Sequence, residues 1–259
     1  MKKIEKYTDL LDSISKYENT IKLHPNFLFR GQSDESWALE PSFTRIVNTH
    51  KLTRDKAIQL ERECINKFSI SAKNILPLKN TISLLTHDGS IDFMGWMTIM
   101  QHFSAPTRNL DWSSSPWVAL YFACSDLTEK DAVLWIADFR KVTDFYEKDI
   151  KDNHFSDLMI NSSSPEALVF TMSHNSNERI EAQQSRFSVS LNPLSDHKEL
   201  IEAAGGLKKI IISHDLKSEI LKELNKMNIT ANTLFPGIDG LGKSIIEYCT
   251  LWDEKSFIK

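Results

Sequence analysis

The stretch Met100–Cys124, MQHFSAPTRNLDWSSSPWVALYFAC, constrains this chain more than any other. A polar, charge-bearing loop carrying His102, Thr107, Arg108, Asp111, Trp112 and the serines 113–115 runs straight into the apolar run Trp117–Ala123. An apolar element of that kind has to be covered by the rest of the fold, and a loop mounted on it presents its groups from a fixed base. Pro106 and Pro116 each remove a backbone donor and restrict the preceding residue, so the loop is stiffened at both ends. Ser115 has the chemistry of an N-cap and Pro116 suits a first helical position, which predicts a helix from Pro116 to about Asp126.

The chain is long enough to enclose such an element. Its 259 residues are 41% hydrophobic and 25% charged, values of a globular protein able to bury a substantial core. The net charge of −4 argues against nucleic-acid binding through bulk charge. Cys64, Cys124 and Cys249 lie far apart without metal-ligand spacing, so no zinc or other metal site is expected and the thiols suit a reducing cytoplasmic setting. The N-terminal residues lack an apolar core of signal type, and no run approaches transmembrane length.

Apolar spacing from Ile4 to Tyr17 predicts a helix packed on the body. Phe27–Arg30 reads as a strand ending at Gly31, where glycine permits a turn or close backbone approach. Leu52–Ile75 reads as one long amphipathic helix with Glu61, Arg62 and Glu63 on a solvated face. Leu76–Ser90 reads as a connection and Asp92–Gln101 as a helix leading into the central loop. Ala132–Phe139 is apolar throughout and predicts a buried strand. Ala167–Thr171 and Leu207–Ser213 are further strands, and a helix is expected from His214 to about Met227. The glycine-rich stretch 234–245 has the wrong spacing for a P-loop.

Several side chains invite functional readings. Arg30, at the end of a rigid strand, offers a planar charged fork suited to a pyrophosphate or carboxylate; the alternative is an ion pair with Asp34, Glu35 or Glu40. Trp37 and Phe43 can stack on a base or pack in the core. His102 can exchange hydrogen bonds with a ribose hydroxyl or serve structurally. Asp111 either balances cationic character or holds Arg108. Arg179 and Gln183 fall together in either conformation: on one face of a strand with Glu181, or as i, i+4 neighbours on a helix.

Four ordered islands resemble the FRG domain family. The first holds Phe29–Arg30–Gly31 with Gln32, Trp37, Leu39, Pro41, Ser42 and Arg45. The second is the central loop, where Gln101, His102, Pro106, Thr107, Arg108, Leu110, Asp111, Trp112, Ser115, Pro116 and Ala119–Ala123 match, with Asn109 and Ser113 as departures. Arg179, Ile180, Ala182, Gln183 and Phe187 form the third, with Ser185 in place of a glycine. Leu234–Pro236 and Asp239–Leu241 form the fourth. The resemblance implies one domain over 1–259, with a helical extension at 1–25 and a core at 26–259. It implies an α+β, ADP-ribosyltransferase-like fold: a split two-sheet core with packed helices, binding NAD as substrate in the cleft.

On that reading Arg30, His102, Gln183 and Glu181 are the catalytic candidates, and Gly31, Gln32, Thr107, Arg108, Asp111 and Arg179 contact a nucleotide ligand. Cleavage of the nicotinamide–ribose bond develops positive charge, which a carboxylate stabilises better than the neutral amide of Gln183. Glu181 or Asp111 can supply that carboxylate. Three functions follow as expectations. One is an NAD-consuming enzyme acting on a protein, a nucleic acid or water, in the manner of a bacterial toxin or defence effector. The second is a non-catalytic nucleotide-binding module. The third is a hydrolase built on His102, Asp111 and a serine of the 113–115 run. None involves a membrane.

Overall fold

The structure, a computed structural model, describes residues 3–17, 26–72, 92–150, 155–172 and 178–252. Its centre is a six-stranded sheet in which every strand pair is antiparallel. The strands are β1 (Phe27–Gln32), β2 (Asn109–Ser113), β3 (Ala132–Asp138), β4 (Leu168–Thr171), β5 (Ser185–Ser190) and β6 (Leu207–Ile212), in the order β4-β5-β2-β1-β3-β6. Twelve α-helices surround the sheet among the described residues: α1 (Tyr7–Ile14), α2 (Ser42–Thr49), α3 (Arg54–Ala72), α4 (Phe93–His102), α5 (Pro116–Cys124), α6 (Phe139–Ile150), α7 (Phe155–Ile160), α8 (Glu178–Ala182), α9 (His197–Ala203), α10 (Lys217–Lys226), α11 (Ala231–Leu234) and α12 (Ile238–Leu251).

The uninterrupted apolar run of β3 follows from cover on both of its faces. Val133, Trp135 and Ala137 join a core with α3, α4, α6 and α7, whereas Ala132, Leu134 and Ile136 join a second core with α1, α5 and α10. Each such Leu or Ile side chain contributes about 2 kcal/mol by leaving water. Helix α5 is apolar all round for the same reason: it lies inside the second core. The Ser115 hydroxyl accepts from the Val118 N–H and Pro116 opens the helix, as the sequence predicts.

The expected division into two sheets is corrected to one sheet with a narrow joint. β1 and β2 share the single register pair Phe29↔Ser113, whereas β1 pairs with β3 along its whole length. Three other expectations change. Only Tyr7–Ile14 of the N-terminal stretch is α-helical, because Ile4 makes a parallel bridge to Ile212 at the sheet edge. β1 continues through Gln32, so Arg30 and Gly31 lie within the strand. The long helix spans Arg54–Ala72 with Glu61 buried; its expected end at Ile75 and the 76–90 connection fall outside the described residues.

Gly31 governs how closely α5 approaches the sheet. A Cβ there would fall 1.8 Å from the Ala119 carbonyl oxygen and 2.6 Å from the Ala123 nitrogen, both main-chain atoms of α5. A second fixed point lies on the other side of β2. The Trp112 indole N–H donates to Ser188 Oγ at 2.8 Å, and Ser188 Oγ lies 2.8 Å from His197 Nδ1. His197 is fully buried; loss of hydration first, then the charges of Arg30 and Arg108, hold its imidazole down to about 3.

Two outcomes are expected. Gly31→Ala destabilises the protein by about 3 kcal/mol or more in urea unfolding, because a helix backbone has to move. Gly242→Ala, where an added Cβ meets nothing within 4 Å, does not destabilise it. The His197 pKa is lower folded than unfolded, so the unfolded chain binds the extra proton. Its stabilising effect is complete above the unfolded value and is lost as pH falls towards about 3, at up to about 1.4 kcal/mol per pH unit. The stability advantage of wild type over His197→Asn should therefore shrink between about pH 7 and pH 4; a constant gap would contradict a neutral buried imidazole.

Candidate functional site

Where β1 and β2 part beyond their single pair, a cavity of about 710 Å³ opens, within the range of sites for small molecules and cofactors. β1 contributes Phe29–Gln32, β2 contributes Asp111–Ser113, and α5 contributes Ala119 and Phe122. α4 adds Thr98, Gln101 and His102, while α8 and the turn after it add Arg179, Ile180 and Gln183. Trp37 and Arg45 complete one wall.

Arg30 spans the joint. Its Nη1 donates to the Asp111 main-chain carbonyl at 2.8 Å, and no ion pair forms with Asp34, Glu35 or Glu40. Its Nε–H is buried and has no hydrogen-bond partner. Burial lowers the guanidinium pKa, opposed by the nearby Asp111 carboxylate and reinforced by Arg45. The Asp111 side chain is exposed and lines the cavity. An Arg with an unused buried donor beside an open volume has the chemistry to take an anionic oxygen.

Arg179 and Gln183 meet through the helical alternative. α8 ends at Ala182, and Gln184, at φ 48°, reverses the chain into β5. The left-handed conformation thus falls one residue before Ser185, which begins β5 where the family resemblance expects a glycine. The Gln183 amide N–H donates to Leu234 O at 2.9 Å, and its main-chain carbonyl accepts from Ser113 Oγ at 2.8 Å. Arg179 stacks over the Phe235 ring at 5.0 Å. These contacts tie the cavity wall to the LFP stretch at the end of α11. His102 is the exposed last residue of α4; partial burial and then the Arg179 charge lower its pKa, which favours neutral imidazole.

Among the expected site residues, Arg30, Gly31, Gln32, His102, Asp111, Arg179 and Gln183 line the cavity. Gln32 is engaged on both sides, accepting from Trp135 Nε1 at 2.7 Å and donating to Ala38 O at 3.1 Å. Thr107, Arg108 and Glu181 are not among the lining residues. Thr107 is buried and donates to Gln101 Oε1 at 3.0 Å. Glu181 is exposed outside the cavity. Arg108 is wholly buried: Nε and Nη2 bind the Glu61 carboxylate, and the remaining donors reach the carbonyls of Ser190, Leu191 and Met159. It is a core ion pair, so Asp111 does not hold Arg108, and Glu61 leaves its expected solvated face.

Ser113 Oγ donates to Gln183 O and accepts from the Ser115 N–H, and Ser115 Oγ accepts from the Val118 N–H, which leaves the serine-hydrolase reading without support from either hydroxyl. Arg45, Gln101 and Phe122 are lining residues that the sequence reading names only as motif positions, not as site residues. Their common signal is membership of the first two islands.

Among the described residues no helix is long and apolar enough to cross a membrane. A family model of the FRG domain matches residues 25–132, which supply Arg30, His102 and Asp111 but not Arg179 or Gln183. No curated protein and no solved structure matches the chain. The matched span carries an FRG domain, and the first two islands, both inside it, meet at one cavity.

Proposed function

We propose that the protein is an NAD-consuming enzyme of ADP-ribosyltransferase-like type, with the cavity between β1 and β2 as its active site. The observation that carries the reading is the charge arrangement: Arg30, Arg45 and Arg179 line the cavity, and Asp111 is the one acidic side chain lining it among the described residues. A dinucleotide fits on two counts, the volume of the cavity and the unpartnered buried Nε–H of Arg30. Bound as substrate, NAD brings the labile nicotinamide–ribose bond, whose cleavage develops positive charge on the sugar.

The chain's own residues divide the remaining work. Arg30, with Arg179 and Arg45, holds the phosphate oxygens. The Asp111 carboxylate opposes the developing positive charge, the role that Gln183 cannot fill with an amide already donating to Leu234. Neutral His102 donates to or accepts from a sugar hydroxyl. The exposed Trp37 ring offers a stacking face, and Phe29, Ala119 and Phe122 exclude water from the cavity.

A second reading, a non-catalytic nucleotide- or ADP-ribose-binding module, is favoured by the same engagement of Gln183 and by the absence of a second lining carboxylate among the described residues. Nicotinamide release separates the two. Wild type is expected to release nicotinamide from NAD, Asp111→Asn to retain binding while kcat falls about 10²–10³-fold, and Arg30→Ala to lose binding. Lysate dependence would identify a transferase rather than a hydrolase of NAD. Saturable binding without product would select the module, and neither binding nor release would remove NAD as the ligand.

A further inference from the structure

A second, smaller cavity of about 230 Å³ is lined from α5, α10 and α12. Leu127, Leu221, Phe235 and Leu251 supply its apolar walls, and Tyr121, Lys243 and Glu247 bring polar groups to it. It is distinct from the cavity between β1 and β2. No residue lines both, although Phe235 of the smaller packs against Phe122 and Arg179 of the larger.

Glu247 defines what this cavity can hold. It lies four residues after Lys243, a spacing at which Lys and Glu side chains can pair on a helix. No ion pair between them forms among the described residues. Lys243 Nζ instead lies 3.7 Å from the Phe235 ring centroid, and Glu247 turns towards α11 and α5. Its Oε2 accepts from the Ala231 N–H at 2.9 Å and from the Tyr121 hydroxyl at 3.5 Å. Its Oε1 is buried and has no hydrogen-bond partner among the described residues. An ionised carboxylate only accepts, so this oxygen calls for a donor, and a cationic donor satisfies it most strongly. We propose that the cavity is a binding site for a small organic ammonium ion, with its charged head on Glu247 Oε1 and a short apolar body against Leu221, Phe235 and Leu251. The volume lies below the roughly 300 Å³ at which sites for drug-sized ligands begin, which keeps that body short. Lys243 lines the same space and disfavours a second positive charge on the ligand. This inference is independent of the reading of the larger cavity.

The probe is n-butylammonium chloride, titrated into the protein and followed by NMR at the Ala231 amide, whose N–H donates to the Glu247 carboxylate. A saturable shift is expected. n-Butanol, of similar shape without the charge, should bind about tenfold or more weakly, and Glu247→Gln should weaken n-butylammonium binding by a similar factor. Ser125 is an exposed lining residue, so Ser125→Trp should fill the cavity and abolish binding with unchanged circular dichroism. Should Glu247→Gln fail to fold, the n-butanol comparison and Ser125→Trp decide. No saturable shift, equal binding of n-butanol, or binding undiminished in either folded variant would each overturn the proposal.

Discussion

The absence of a side chain at Gly31 is the constraint on which the rest of the site depends. The Ala119 carbonyl occupies the volume that any Cβ on residue 31 would need, so α5 rests its backbone directly on β1. Because α5 follows β2 after two residues, its seat on β1 also fixes where β2 arrives. The two strands then share one pair, Phe29↔Ser113, before the cavity opens between them. Arg30 stands next to that pair and reaches across to Asp111 O. A packing requirement and a functional arrangement thus share one tripeptide.

Two arginines with equally strong motif signals part company through their surroundings. Arg108 has every donor satisfied inside the protein, by Glu61 and by three carbonyls drawn from two segments. Removing either partner of such a pair strands a buried charge, a loss of about 3–5 kcal/mol. Arg30 keeps a buried N–H without a partner and lies against open volume. The first arginine holds α3, α7 and the end of β5 together; the second is available to a ligand. Hydrogen-bond accounting makes the distinction, and motif membership does not.

What the sequence reveals follows the range of the forces involved. The Ser115–Pro116 helix start and the doubly covered strand β3 are local signals, and both appear where they were read. Burial of Glu61 was not legible, because its partner lies 47 residues away and its neighbours Arg62 and Glu63 are exposed. The joint between β1 and β2 was hidden for a similar reason: an apolar pattern marks a strand without naming its neighbours. Of the expected site, Arg30, His102, Asp111, Arg179 and Gln183 converge on one cavity, whereas Glu181 projects away at the end of a short helix. Helix α12 is hidden in the sequence by Gly240 and Gly242, which disfavour a helix interior.

A crystal structure of the protein with ADP-ribose tests the central claim most directly, that the joint between β1 and β2 is an anion-binding site organised by Arg30. The account predicts ligand density in this cavity, with a phosphate oxygen within hydrogen-bonding distance of Arg30 Nε and the sugar near Asp111. Ligand bound elsewhere, or bound in the cavity with Arg30 Nε still unpartnered, would contradict it.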